Sequence, residues 1–265
     1  MFDYHIHSDF SADCETPMEE TIRHAIEIGM KEICFTEHID FDYPDPSIVF
    51  ELDLPAYDKK IKELQSANRD KICIKKGVEI GVQPHLLSEY EALLGKEKFD
   101  FIICSMHTTK NKDLHSGDFF KGKRVEESYR TYYAELLACV RYFRDFSILG
   151  HVDLVKRYTA QQSKLDFHDL LTDIFQTIIP RGQGIELNTS GWRYGLDSDM
   201  PSEDILRLYK ACGGEIITLG SDSHVAETVG YKFAESAALL KEIGFRYIAS
   251  FEEKEPQFHP IDAFC

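Results

Sequence analysis

The sequence predicts an α/β domain built as a barrel of parallel strands, and three observations carry that expectation. One unit recurs along the chain: a helical stretch, a glycine or charged break, a short β-rich apolar run, then a polar residue of catalytic type. Strands separated by helices pair in parallel. Seven or eight such units close most economically into a barrel, with an open doubly wound sheet as the alternative. Length is the third observation, because 265 residues, 43% of them hydrophobic, bury one large core and match the usual size of a single-domain α/β barrel. Residues 1–265 are therefore read as a single domain.

The first unit opens with the strand FDYHIH and continues with a helix from Pro17 to Ile28. Gly29 stands where a left-handed helix cap is expected, and EICFTEH is the second strand. The helix Ala56 to Ser66 leads to KICIKKGVE, and the helix Pro84 to Leu94 leads past Gly95 to FDFIICSMH. A long helix from about Val125 to Phe143 precedes FSILGH, the helix Phe167 to Ile179 precedes GIELNTS, and the helix Ser202 to Ala211 precedes EIITLGSDSH. A last helix, Ala234 to Ile243, ends at Gly244 before FRYIASF. Two longer inserts, Ile39 to Leu54 and Thr108 to Arg124, are rich in Asp, Pro and Lys and follow strand ends on the C-terminal face. They read either as substrate-covering loops or as poorly ordered surface segments.

Composition narrows the partners. A net charge of -16, with no Lys/Arg-rich stripe interleaved with aromatics, opposes binding to nucleic acid. The same charge repels a small phosphate, so a phosphate site here needs concentrated local positive charge, which divalent cations supply. Seven scattered cysteines, Cys14, Cys34, Cys73, Cys104, Cys139, Cys212 and Cys265, form no CxxC pair and read as buried reduced thiols. No apolar run approaches the roughly 20 residues that cross a bilayer, and Met1 to His5 lead straight into strand-like sequence. A soluble cytoplasmic protein without a membrane partner is expected, as a monomer or small homo-oligomer.

The chemistry lies in where metal-type side chains fall. His5 and His7 alternate at the end of the first strand, so both point the same way along an extended chain and chelate one ion. Glu37 and His38 end the second strand, Glu79 the third, His107 the fourth, His151 the fifth, and Asp222 with His224 the seventh. That rim is where barrel enzymes build active sites. The other histidines, His24, His85, His115, His168 and His259, fall in helices or loops and read as surface residues. Eight or nine ligands exceed the four to six of a single ion, so at least two ions are implied. Glu79, with two oxygens, is the expected bridge. Clustered cations suit hydrolysis of a small phosphate ester by a hydroxide bridging two ions, and no DxDxT or CxxxxxR nucleophile motif competes.

The motifs HIHSDFSAD, FTEH, GVEIG, SMH, GHVD, ELNTSGWR and GSDSH, in this order, resemble the polymerase and histidinol phosphatase (PHP) family over nearly the whole chain. Within it, chain length, TEH, GHVDLVKRY and NTSG most resemble the histidinol-phosphate phosphatases. The resemblance implies a distorted (β/α)₇ barrel, TIM-barrel-like, with three ions of zinc, manganese or iron. It implies one ion on His5, His7, Glu79 and Asp222, a second on Glu79, His107 and His151, and a third on Asp13, His38 and His224. Many members have histidine where Asp13 stands, and a carboxylate there favours a harder ion.

The implied reaction is conversion of L-histidinol phosphate to L-histidinol and phosphate, a step of histidine biosynthesis, with Glu79, Asp222 and Arg157 at the chemistry. A phosphodiesterase or another phosphomonoesterase of the same superfamily is the alternative. A non-catalytic metal module is disfavoured because the ligands are N/O donors dispersed along the chain, unlike a local sulfur-rich site. Arg157 in VKRY, with Tyr158, is the expected phosphate clamp, and Arg193 in SGWR is a second candidate. Glu37 either orients the neighbouring imidazole or touches substrate. Asp40, Asp42 and Asp45 of the first insert are the nearest acceptors for a substrate ammonium.

Overall fold

Seven parallel strands curl into a barrel in the computed structural model, which describes residues 1–159 and 161–264. The chain runs β1 (Phe2–Ile6), α1 (Met18–Glu27), β2 (Glu32–Ile39), α2 (Leu54–Asn68), β3 (Cys73–Gly81), α3 (Leu87–Leu94) and β4 (Phe101–Ser105). A small hairpin of β5 (Thr108–Thr109) and β6 (Lys112–Asp113) precedes α4 (Val125–Tyr142), β7 (Ile148–Leu149), α5 (His168–Ile178) and β8 (Gly184–Asn188). The one-turn α6 (Ser190–Arg193), α7 (Glu203–Ala211), β9 (Ile217–Gly220), α8 (Phe233–Ile243), β10 (Tyr247–Glu252) and β11 (Glu255–Pro260) complete it.

The strand order β1-β2-β3-β4-β7-β8-β9 is that of a (β/α)₇ barrel, and the open doubly wound alternative does not occur. Closure comes just beyond β9, where Ser223 bridges Ile6 in parallel and the His7 N–H donates to the Ser223 carbonyl at 2.9 Å. The helices form where their apolar stripes require it. α4 buries Tyr129, Tyr132, Tyr133, Leu136, Leu137 and Val140 at helical spacing. Asp53 caps α2 by accepting from the Ala56 N–H at 3.0 Å, which starts that helix two residues before Ala56. Gly29 adopts φ +78 just past α1, as its position predicts.

The last expected unit differs. FRYIASF does not join the barrel; β10 pairs antiparallel with β11 through a two-residue turn, Glu253 and Lys254, both at positive φ. Ala249 and Phe251 of β10 pack on Tyr4, Cys34, Phe101, Ile103 and Ile148, the interior residues at the N-terminal end of the barrel. The hairpin therefore plugs the end opposite the rim. The Phe251 N–H donates to Tyr4 Oη at 2.8 Å, and Lys254 N–H to the Asp100 carbonyl at 2.8 Å. Phe251→Ala is expected to lower stability by about 3–5 kcal/mol through the cavity it leaves. Urea denaturation checks this, and bound metal should be unchanged because the plug and the rim share no residue.

Of the cysteines, Cys14, Cys34, Cys104 and Cys139 are buried free thiols, whereas Cys73 is exposed and Cys212 half-buried, a correction to uniform burial. Cys265 lies outside the described residues. Among the described residues no helix is long and apolar enough to cross a membrane.

Candidate metal centre

Strand alternation sends His5 and His7 inward together, and both are buried, with Nε2 atoms 3.1 Å apart. Glu79 reaches the same point from β3. Its Oε2 lies 3.1 Å from His5 Nε2, 3.5 Å from His7 Nε2 and 3.2 Å from His38 Nδ1. Its Oε1 faces the opposite way, 3.3 Å from His107 Nε2 and 3.0 Å from His151 Nε2. One carboxylate thus presents each oxygen to a different set of imidazoles. Asp222 follows β9 in the left-handed region at φ +54, and its Oδ1 stands 3.8 Å from His5 Nε2 and 3.7 Å from His7 Nε2.

A third grouping sits at the mouth. Asp13 Oδ2 lies 3.3 Å from His224 Nε2 and 3.6 Å from His38 Nε2, and the His7 ring stacks on His38 at 4.2 Å. Ligand atoms of His7, His38 and His224 fall within 4.8 Å of one another, as do those of His5, His7 and Asp222, of His5, Glu79 and His151, and of His38, Glu79 and His107. All nine side chains expected as ligands are brought together.

This donor set fits divalent cations. Imidazole nitrogens of His5, His7, His38, His107 and His151 converge within 3.5 Å of the two oxygens of Glu79, a set of N and O donors that divalent cations bind, and His151 Nδ1 is buried without a hydrogen-bond partner. Burial opposes charge on His5, yet Glu186, Glu79 and Asp222 outweigh it and hold its pKa well above the ordinary value. His107 is raised in the same way by Asp40 and Glu79, and His38, by Asp13 and Glu79, to about 9. His7 moves well down, through burial and then the neighbouring His38, His224 and His5. Against their burial, the histidines hold Glu79 and Asp222 below the usual carboxylate range. The centre calls for positive charge, and protons supply it when cations do not.

An imidazole must be neutral to ligate, so protons on His5, His38 and His107 have to leave as an ion binds. Zinc binding at pH 7 is therefore expected to release protons, and affinity to rise with pH above neutrality as His5, His38 and His107 lose theirs. Calorimetric titration in two buffers of different ionisation enthalpy measures this; proton-neutral binding would contradict it.

Carboxylates behind the ligands are the part that sequence reasoning missed. Glu186 Oε1 accepts from His5 Nδ1 at 2.6 Å, and Asp40 Oδ1 from His107 Nδ1 at 2.7 Å. Ser105 Oγ donates to Glu79 Oε1 at 2.6 Å. Asp40 is thus tied to the centre and is no substrate contact. Asp42 pairs with His85 and Asp45 closes its own turn on Ser47, so the acidic insert does not supply the expected ammonium acceptors. Glu37 also stays off the cleft. Fully buried, it accepts from the Ser8 N–H and from Ser8 Oγ and Ser11 Oγ, anchoring the loop that carries Asp13.

A cleft of about 350 Å³ opens over the centre. Both inserts wall it: Tyr43, Ile48 and Phe50 from the first, Asp113 and His115 from the second. His115, expected to be an ordinary surface residue, meets the Tyr158 ring edge-on at 5.6 Å. Arg157 and Tyr158 line the cleft, with the Arg157 guanidinium 3.4 Å from Asp222 Oδ2 and 3.2 Å over the Tyr194 ring. Arg193 does not line it. The one-turn α6 carries Arg193 beneath Asp222, where it donates to the carbonyls of Ser221 at 2.7 Å and Asp222 at 2.9 Å.

The pattern of the PHP domain family matches residues 3–190. Histidinol-phosphatase of Lactococcus lactis subsp. lactis (strain IL1403) is 35% identical over 258 residues, covering 94% of this chain and 93% of the relative. Histidinol-phosphatase of Bacillus subtilis (strain 168) is 25% identical over 262 residues, covering 87% and 96%. The crystal structure of the Lactococcus lactis histidinol phosphate phosphatase, complexed with zinc, L-histidinol and phosphate, superposes with a TM-score of 0.89 at 34% identity, over 97% of this chain and 98% of that one. A Listeria monocytogenes structure at 19% identity and TM-score 0.76, over 89% of this chain and 99% of that one, shares the fold.

Proposed function

The chain belongs to the PHP domain family, and we propose that it is a metal-dependent phosphomonoesterase converting L-histidinol phosphate to L-histidinol and phosphate. The observation that carries this is Glu79, whose two oxygens face separate imidazole sets at the floor of a cleft walled by Arg157. The similarity to a relative that holds zinc, L-histidinol and phosphate supports the substrate. The role is a cytoplasmic one in histidine biosynthesis, carried out by the chain as one domain.

His5, His7, Glu79 and Asp222 would hold one ion, Glu79, His107 and His151 a second, and Asp13, His38 and His224 a third, with zinc, manganese or iron suiting these N/O donors. Bound ions would supply Lewis acidity toward the phosphoryl oxygens and lower the pKa of water enough for attack near neutral pH. The protein's own groups do the rest. Arg157, held over the Tyr194 ring, neutralises the dianionic phosphoryl group from the cleft wall. Tyr43, Ile48, Phe50 and Tyr158 enclose the organic part of the ester and exclude water. Asp113, a buried carboxylate in that wall whose two oxygens already accept from the His115 and Ser116 N–H groups, offers its remaining lone pairs to the substrate ammonium where Asp40, Asp42 and Asp45 do not line the cleft. Glu37 and Arg193 act behind the site: Glu37 fixes the loop bearing Asp13, and Arg193 fixes the left-handed backbone at Asp222.

Assay of zinc- and manganese-loaded protein against a panel of phosphate monoesters and diesters tests this. Preference for L-histidinol phosphate is expected; preference for a diester would favour the phosphodiesterase alternative and overturn it.

A further inference from the structure

We propose that Glu186 is a positioning residue that holds the His5 ring and the His151 backbone in register with Glu79, and so sets how tightly the ions on His5 and His151 are bound. Glu186 lies on β8, is buried, and does not line the cleft, so it touches neither substrate nor solvent. Its two oxygens do different work. Oε1 accepts from His5 Nδ1 at 2.6 Å, while Oε2 accepts the His151 N–H at 2.9 Å and an Asn188 Nδ2 hydrogen at 3.1 Å.

Both of those histidines place Nε2 on Glu79, His5 at 3.1 Å from Oε2 and His151 at 3.0 Å from Oε1. One buried carboxylate therefore backs two ligands that front opposite oxygens of another. A hydrogen bond from Nδ1 to a carboxylate fixes the tautomer, locks the ring rotation and strengthens Nε2 as a donor. The His151 Nδ1 has no partner of its own, so the grip of Glu186 on its backbone is what aims that residue. Space is kept for the arrangement: a Cβ on Gly220 would fall 2.0 Å from Glu186 Oε1 and 2.7 Å from His5 Cβ.

The inference rests on the proposed function in requiring that the cluster bind divalent ions. Its test is zinc titration of chelator-stripped wild type and E186Q against a chromophoric competitor, with the melting temperature of each stripped protein measured in parallel. Glutamine keeps the volume and one acceptor oxygen, but turns an NH₂ group toward donors. E186Q should bind the affected zinc about 10–100-fold more weakly, with little change in the melting of the stripped protein. Turnover should return largely at saturating zinc.

A Glu186 that merely fills the barrel interior would give lower melting with wild-type zinc affinity, which overturns the proposal, as does wild-type affinity with unchanged melting. If E186Q does not fold, E186D serves: the charge is kept, but one methylene fewer forces one of the two contacts to lengthen. Wild-type zinc affinity in E186D would then overturn the proposal. Wild type that binds no zinc overturns the proposed function itself, and this inference with it.

Discussion

Glu79→Gln is expected to abolish turnover and to strip metal from the protein at the same time. The carboxylate is buried and central, with one oxygen among His5, His7 and His38 and the other between His107 and His151. An amide removes the charge and one strong ligand oxygen, so neither neighbouring ion keeps its full set. If the ions supply roughly 4–6 kcal/mol of transition-state stabilisation, their loss lowers the rate by about 10³–10⁴. Elemental analysis and turnover should fall together. Wild-type metal content with near-normal turnover would remove Glu79 from the chemistry.

Arg157→Ala is expected to separate phosphate recognition from metal binding. Its guanidinium lines the cleft and leans on Asp222 Oδ2 at 3.4 Å, but it supplies no ligand atom. Catalytic efficiency should fall by about 10² to 10³, roughly 3 to 4 kcal/mol, with metal content and thermal stability nearly intact. Arg157→Lys should recover only part, since a point charge lacks the bidentate fork. Arg193→Ala is the informative comparison. Because Arg193 clamps the carbonyls of Ser221 and Asp222, its loss should loosen Asp222 and appear as weaker metal retention. If Arg193→Ala damaged phosphate binding while Arg157→Ala stayed near wild type, the two assignments would be reversed.

Much of this architecture is legible in the sequence because barrel geometry ties chemistry to strand ends. The period of each helix, the glycine after α1 and the apolar runs locate the strands, and the residue following each run is then on the rim. That is how dispersed residues such as His5, Glu79 and Asp222 are grouped without any local motif. What stays hidden depends on contacts across the barrel. Glu186 sits inside GIELN and meets His5 181 positions away, and nothing local marks it. Asp40, two residues after His38 and one past the end of β2, carries a signal in its spacing, yet its neighbours Asp42 and Asp45 suggest an acidic loop.

Turn chemistry hides the plug. Glu253 and Lys254 take left-handed conformations that Asn-Gly or Asp-Gly would advertise, so β10 looks like one more barrel strand. Arg193 follows a strand as Arg157 does, but the single turn of α6 swings it under the rim, and one helical turn is too short to show a period.

The most direct measurement is phosphate release from L-histidinol phosphate by protein stripped of metal, before and after zinc is restored, with far-ultraviolet circular dichroism recorded on the same samples. The side chains grouped for metal binding sit at the rim, while the core rests on the packed helices and the basal plug. Stripped protein should therefore keep its helical signal and lose release, and zinc should bring release back. Undiminished release from protein that elemental analysis shows to be free of metal would contradict the account.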